Sequence, residues 1–176
     1  MVINTLRLSL RPALIRDIPA IVAMLNDWEV AQWLSVPPYP YEVHHGEQFC
    51  ATIAENHAAE RATLFAIART EDDEVIGSIE ISPGNPSSCG VGYWMGRKHW
   101  GQGYAREALA ALIDYGTVSF GVRKLIALVD PENTPSCKLL MHSGFSFGST
   151  TQLSSPTRRG CLKLHLYARS LTGASA

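Results

Sequence analysis

No stretch of this 176-residue chain is apolar for anything near the roughly 18 residues that cross a bilayer, and its start lacks a leader pattern. A membrane-spanning or exported protein is therefore not expected, and a cytoplasmic one is. Charge of one sign is missing as well. Fifteen Lys and Arg against sixteen Asp and Glu leave a formal net charge of −1, without the basic footprint of a general nucleic-acid binder. The four cysteines, Cys50, Cys89, Cys137 and Cys161, are scattered with no C-x-x-C pair. That spacing argues against a metal site or a disulfide framework and for reduced structural thiols. His44 and His45 are adjacent, so a helix is expected to point them apart, which is poor spacing for a shared metal. Nor is there an internal repeat, a low-complexity tract or a long linker. The composition, 46% apolar and 18% charged, is globular, and the length suits one domain over residues 1–170 with a short tail at 171–176.

What is present reads as alternating strands and helices. Thr5 to Arg11 alternates apolar and polar residues and predicts a half-buried strand closed by Pro12. Asp17 is placed to cap a helix carrying Ile18, Ile21, Val22 and Leu25. A second short helix through Val30, Ala31 and Leu34 stops before Pro37-Pro38-Tyr39-Pro40. A longer helix from about Tyr41 to Ala59 is expected to bury Phe49, Ile53 and Val43. Ala62–Arg69 and Val75–Ser82 pair around the acidic turn Glu71-Asp72-Asp73-Glu74, and after a turn at Pro83–Ser88, Cys89–Met95 continues the sheet. A helix then runs to about Val118. Lys124–Val129, rich in Leu, Ile and Val, reads as a central strand buried on both faces. Thr134-Pro135 reads as a helix cap and first-turn proline, with Gly144 as the stop. Phe145–Thr151 and Gly160–Ala168 close the chain as strands. The succession predicts an α/β (α+β) fold, a mixed sheet of about seven strands with helices on both faces.

The stretch Gly92 to Leu109 organises the rest. A strand leads through the basic connector Arg97-Lys98-His99 into Gly101-Gln102-Gly103, and a helix begins there. Ala105, Ala108, Leu109, Leu112, Ile113 and Gly116 recur at three- and four-residue steps, marking one helix face. Glycines let a ligand approach the backbone, and the first amides of a helix have no intrahelical partner, so the junction suits an anion such as a phosphate. It fits neither common nucleotide fingerprint. Arg106 stands where G-x-G-x-x-G needs a small residue, and no G-x-x-x-x-G-K-[ST] occurs. An ordinary strand-to-helix turn is the plainer reading of the same residues.

This segment resembles the acetyl-coenzyme A site of the GCN5-related N-acetyltransferases, with their pyrophosphate-loop pattern Q/R-x-x-G-x-G/A. Trp100 takes the first place, Gly103 that of the glycine and Ala105 that of the small residue. The run Trp-Gly-x-Gly-Tyr-Ala is similar to the branch containing the ribosomal-protein N-terminal acetyltransferases. Arg7 to Pro12 with Asp17 looks like the family's opening strand and helix, and Val75 to Ile79 like its third strand. Asp130 to Ser136, followed by Gly144-Phe145, resembles its second coenzyme-contacting segment. The resemblance covers nearly the whole chain and implies a mostly antiparallel sheet, acetyl-coenzyme A as co-substrate, no metal, and a homodimer.

It also implies roles. Backbone groups of Tyr93, Trp94 and Met95 would pair with the pantetheine arm, with the N–H of Met95 polarising the acetyl carbonyl. Gly101, Gln102, Gly103, Tyr104, Ala105 and Arg106 would surround the pyrophosphate. Asn133 falls where the family places an asparagine beside the coenzyme, and also where a helix cap would stand. The tyrosine acid of other branches would fall at Leu140, which has no proton to give, so Ser136 is the candidate acid for the departing thiolate. An ordinary first-turn serine is the competing reading. Glu80, a carboxylate among apolar strand residues, is the candidate base, against a solvent-facing glutamate, and His165 is a further candidate. The ribosomal-protein enzymes carry an acid near the penultimate strand, and Thr151 to Arg159 contains none. Trp33 and Tyr39, with Tyr41, form an aromatic lip for an apolar or cationic acceptor, or else core aromatics. Arg158-Arg159 reads as part of a solvated loop.

The expected activity is direct acetyl transfer to a primary amine, above all the α-amine of a protein or peptide N-terminus. Two alternatives stand beside it. One is a small-amine acetyltransferase acting on a polyamine, amino acid or aminoglycoside, and the other is an acyl-coenzyme A binding sensor without turnover.

Overall fold

A computed structural model describes residues 1–58, 63–83, 88–153 and 158–171. Its strands are β1 (Ile3–Asn4), β2 (Leu8–Arg11), β3 (Leu64–Arg69), β4 (Val75–Pro83), β5 (Cys89–Met95), β6 (Lys124–Val129), β7 (Ser146–Gln152) and β8 (Lys163–Ser170). The helices are α1 (Ile18–Leu25), α2 (Trp28–Ala31), α3 (Val43–Ala58), α4 (Tyr104–Phe120) and α5 (Thr134–His142). All eight strands form one sheet in the order β1-β2-β3-β4-β5-β6-β8-β7. Every pairing is antiparallel except β5 with β6. The sheet is thus mixed and mostly antiparallel, as expected. The eighth strand arises because Thr5 turns the chain. Its hydroxyl and N–H both engage the Leu8 carbonyl, folding Ile3–Asn4 back along Leu10 and Ser9.

Strand alternation sends neighbouring side chains to opposite faces, and each face has its own helices. Leu8, Leu10, Phe65, Ile67, Ile79 and Ile81 pack against Leu109 and Leu112 of α4 and Leu140 of α5. Ala66 and Val75 on the other face meet Ile18, Ile21 and Leu25 of α1, Val30 of α2 and Ile53 of α3. At about 25 cal/mol per Å² of apolar surface removed from water, these two layers supply the main drive to fold.

Several expectations need correction. Asp17 precedes α1, but its side chain makes no cap bond. Its carboxylate is taken by the buried Arg11 guanidinium at 2.7 and 3.1 Å and by the Leu14 N–H, since a buried charge must be paired. Val43 is 57% exposed, and Tyr41 is buried in its stead because Asn26 bonds both its N–H and its carbonyl. The His44 and His45 rings do not diverge but lie 3.8 Å apart, since both turn back onto Glu42. No group of three metal-ligating side chains occurs among the described residues. Strand β6 is buried on one face only, with Leu125, Ala127 and Val129 inward and Leu128 46% exposed, because its other face borders a cleft. Asn133, not Thr134, caps α5 through the Ser136 N–H at 3.2 Å. No helix among the described residues is long and apolar enough to cross a membrane.

Candidate active site

The parallel pair β5–β6 is joined at one end only. Cys89 faces Leu125 and Gly90 faces Ile126, and beyond them the two strands part. From Val91 to Met95 the edge of β5 that faces β6 has no ladder partner, while its other edge stays paired to β4. At the far end Gly96 donates to the Ile76 carbonyl on the β4 side. Antiparallel pairs alternate between bonded and non-bonded positions, so the amides of Met95 and Tyr93 face the gap. The Met95 carbonyl on that side accepts from the Trp100 indole at 2.8 Å, which seals the end of the strand and leaves the N–H available.

The glycine loop closes the gap at the start of α4. Gly101 (φ 74°) and Gly103 (φ 81°) both occupy the left-handed region that other residues enter at a cost. A Cβ on Gly101 would meet nothing within 4 Å, so that face of the loop is open. The opening amides of α4 lie beside it, where the helix dipole favours an anion, and Arg106 lines the same cleft. The groups therefore fit a phosphate, and the unpaired strand edge above fits an amide-bearing arm.

Arg7 holds this loop from behind. It donates through Nε to Glu107 at 2.7 Å and through Nη1 to the Gln102 carbonyl at 3.0 Å, and it lies 4.6 Å from the centre of the Tyr104 ring. Burial alone would raise the Glu107 carboxyl, but hydrogen bonds from Thr5 and Arg7 outweigh it and hold the group below its ordinary value. Gln102 is not a cleft residue: its side chain turns to the Lys98 carbonyl at 2.9 Å.

On the α5 side, the Ser136 hydroxyl lies 2.7 Å from that of Tyr93. Burial pushes the Tyr93 phenol up to about 12, against a smaller opposing effect of the Ser136 bond. Leu140 is fully buried in the core. On the opposite face, Glu80 sits across from Gly92, with Oε1 2.9 Å from where a Cβ on that glycine would stand. A side chain at Gly92 would push that carboxylate aside. Trp33, Pro37, Phe49 and Leu64 continue the wall on this face.

One cleft of about 1100 Å³ includes both sides. It brings together Trp33, Glu80, Tyr93, Trp94, Met95, Gly101, Gly103, Tyr104, Ala105, Arg106, Asn133 and Ser136. His99 lines it too, its imidazole lowered chiefly by burial. Tyr39 lies outside, edge-on to Trp28 at 5.4 Å and 5.8 Å from the Arg158 guanidinium. His165 packs on Phe147 instead. Arg158 and Arg159 are straps rather than a solvated loop. Arg158 donates to the carbonyls of Ala31 and Pro37, while Arg159 reaches Gln32 and Glu132 and covers one face of Trp33 at 4.3 Å. Residues 154–157 of that loop lie outside the described residues.

The model of the acetyltransferase (GNAT) domain matches residues 7–146, which include the split strands, the glycine loop and α5. The chain belongs to the GNAT acetyltransferase family. It is 35% identical over 143 residues to the uncharacterized N-acetyltransferase p20 of Bacillus licheniformis, covering 80% of each chain. It is 27% identical over 136 residues to the ribosomal-protein-serine acetyltransferase of Escherichia coli, covering 74% of this chain and 75% of that one. Among solved structures, the ribosomal L7/L12 alpha-N-protein acetyltransferase RimL in complex with coenzyme A superposes with a TM-score of 0.79 at 20% identity, over 97% of this chain and 98% of that one. The protein is thus a GNAT N-acetyltransferase, and the cleft at β5–β6 is the place to seek its chemistry.

Proposed function

We infer that this GNAT enzyme takes acetyl-coenzyme A into the split between β5 and β6 and moves its acetyl group directly to the α-amine of a protein or peptide N-terminus. The observation that carries this reading is the one-ended pairing of β5 with β6, which leaves the Tyr93 and Met95 amides facing a cleft that ends at the glycine loop. Bound there, the coenzyme supplies an activated acyl thioester.

The protein's own groups do the rest. Gly101, Gly103, Tyr104, Ala105 and Arg106 hold the pyrophosphate against the start of α4, with Gln102 shaping the loop from behind. The Met95 N–H donates to the acetyl oxygen, where negative charge develops as the amine attacks. Backbone groups of Tyr93 and Trp94 hold the arm, and Asn133 both caps α5 and borders the coenzyme. Ser136 protonates the departing sulfur. Glu80, on the opposite face of the sheet, accepts the amine proton through a water molecule. A peptide α-amine, with an ordinary pKa near 8, is already partly neutral at pH 7 and needs only this modest help. Trp33 and the Pro37 wall receive the first residues of the acceptor. The names of the E. coli and RimL relatives, a ribosomal-protein-serine and an alpha-N-protein acetyltransferase, support a protein acceptor.

Thiol release from acetyl-coenzyme A, measured against peptides beginning with Ala, Ser, Met or Thr and against a panel of small amines, tests this. Release with peptides alone is expected. Release with small amines alone transfers the enzyme to polyamine, amino acid or aminoglycoside chemistry. Calorimetric binding with no release from either panel makes it an acyl-coenzyme A sensor.

A further inference from the structure

The hydroxyl contact between Tyr93 and Ser136 joins β5 to the first turn of α5 at 2.7 Å. Ser136 is the one hydrogen-bond partner of the Tyr93 hydroxyl among the described residues. Its own backbone is fixed by the Asn133 side chain at 3.2 Å. Each hydroxyl has one proton and two acceptor lone pairs, so one donates and the other receives. A phenol is a stronger acid than an alkanol, which makes Tyr93 the better donor and Ser136 the better acceptor. With Tyr93 donating, the Ser136 proton is free to point elsewhere, and both residues line the same cleft.

Two neighbouring side chains of α5 are engaged elsewhere. Leu140 is buried in the core, and the Cys137 thiol turns to the Asp130 carbonyl at 4.0 Å. The strand therefore brings a phenol to the serine that the helix alone leaves without a partner.

We propose that Tyr93 is a positioning residue for Ser136, orienting its hydroxyl toward the reacting sulfur and resupplying its proton. The inference rests on the acid role assigned to Ser136 above. As the C–N bond forms and the C–S bond breaks, the sulfur takes the Ser136 proton, Ser136 takes the Tyr93 proton, and Tyr93 regains one from water. The amine proton leaves through Glu80 and its water, so the balance closes without any further reactant. The phenol is protonated throughout the working range because burial holds it up near 12.

The experiment compares Tyr93→Phe, Ser136→Ala, the double variant and Ser136→Thr, using acetyl-coenzyme A with a peptide beginning with Ser. The phenylalanine keeps the ring and its packing, and a melting curve checks that each variant folds. Ser136→Ala should lower kcat roughly tenfold or more, the effect of losing one hydrogen bond to a developing charge, with calorimetric affinity for coenzyme A unchanged. Tyr93→Phe should lower kcat nearly as far without moving KM. The double variant should be no slower than Ser136→Ala alone, because Tyr93 acts through Ser136. Ser136→Thr, which retains a hydroxyl, should recover part of kcat. A second readout needs no turnover. The thiol of coenzyme A bound to the wild type, followed by ultraviolet thiolate absorbance, should ionise about one pH unit lower than when bound to Tyr93→Phe. Full kcat and an unmoved thiol in Tyr93→Phe, or additive losses in the double variant, overturn the inference while leaving Ser136 as the acid. Full kcat in Ser136→Ala removes the acid assignment itself.

Discussion

Arg7 Nε lies 2.7 Å from Glu107 Oε2 although 100 positions separate the two residues, and the same guanidinium holds the carbonyl of Gln102. The start of β2 is thereby tied to the first turn of α4, and the glycine loop is stretched between two anchors. The pair is largely open to solvent on the Arg7 side, so its own contribution to stability is at most about 1 kcal/mol. Its effect on the loop is larger. Arg7→Ala should raise the KM for acetyl-coenzyme A roughly tenfold, equivalent to about 1.4 kcal/mol, and leave kcat near wild type. Steady-state kinetics at varied acetyl-coenzyme A, with a melting curve showing only a small shift, checks this.

Gly103 is the point where bulk and charge do most harm. Its φ of 81° imposes strain of about 1–2 kcal/mol on a residue with a side chain, and a glutamate there places a carboxylate in the proposed pyrophosphate site. Gly103→Glu should abolish calorimetric binding of coenzyme A. Gly101→Ala, where a Cβ meets no protein atom within 4 Å, should fold with a lower melting temperature from the strain and should weaken coenzyme A binding less than Gly103→Glu. Unchanged affinity in Gly103→Glu removes the pyrophosphate from this loop.

Asn133 joins fold to chemistry through the Ser136 N–H. Losing a cap of this kind costs about 1 kcal/mol and frees the first turn of α5, so Asn133→Ala should lower both melting temperature and kcat. Asn133→Asp, which still accepts from that N–H, should restore most of the stability in a thermal melt.

Alkaline pH should unfold the protein by a defined route. Tyr41 and Tyr93 are raised chiefly by burial and Tyr167 chiefly by its bond with Cys137, each to about 12 from an ordinary 10.0. Above about pH 10 the unfolded chain has released these protons while the folded chain keeps them. Stability is therefore full below pH 10 and declines as pH rises toward 12. Urea midpoints measured across that interval should fall, and Tyr93→Phe should fall less steeply than wild type.

Much of this was legible in the sequence because it is local. The apolar spacing of α4 and the turn residues around Gly103 and Gly144 carry their geometry with them, and so do the ends of β5 and β6. What escaped depends on residues far apart in the chain. Nothing near Arg7 announces Glu107, and nothing near Tyr93 marks its hydroxyl as a neighbour of Ser136. The misplaced cap at Asp17 has a nearer origin: Arg11, six positions away, takes the carboxylate that spacing alone assigns to a helix end. Likewise Leu128 looked like a core residue until the parting of β5 from β6 left its face open. Tyr39 and the arginine straps depended on contacts across some 120 positions, which no window of residues contains.

The parting of those two strands opens one cleft to both faces of the sheet. Ser136 approaches from the face of α4 and α5, while Glu80 and Trp33 approach from the face of α1, α2 and α3. If the proposed roles hold, donor handling and acceptor choice belong to separate layers that meet at the strand edge. On the proposed reading, a change of acceptor amine falls on the cleft-lining Glu29, Trp33, Pro37 and Phe49 and leaves the glycine loop as it is.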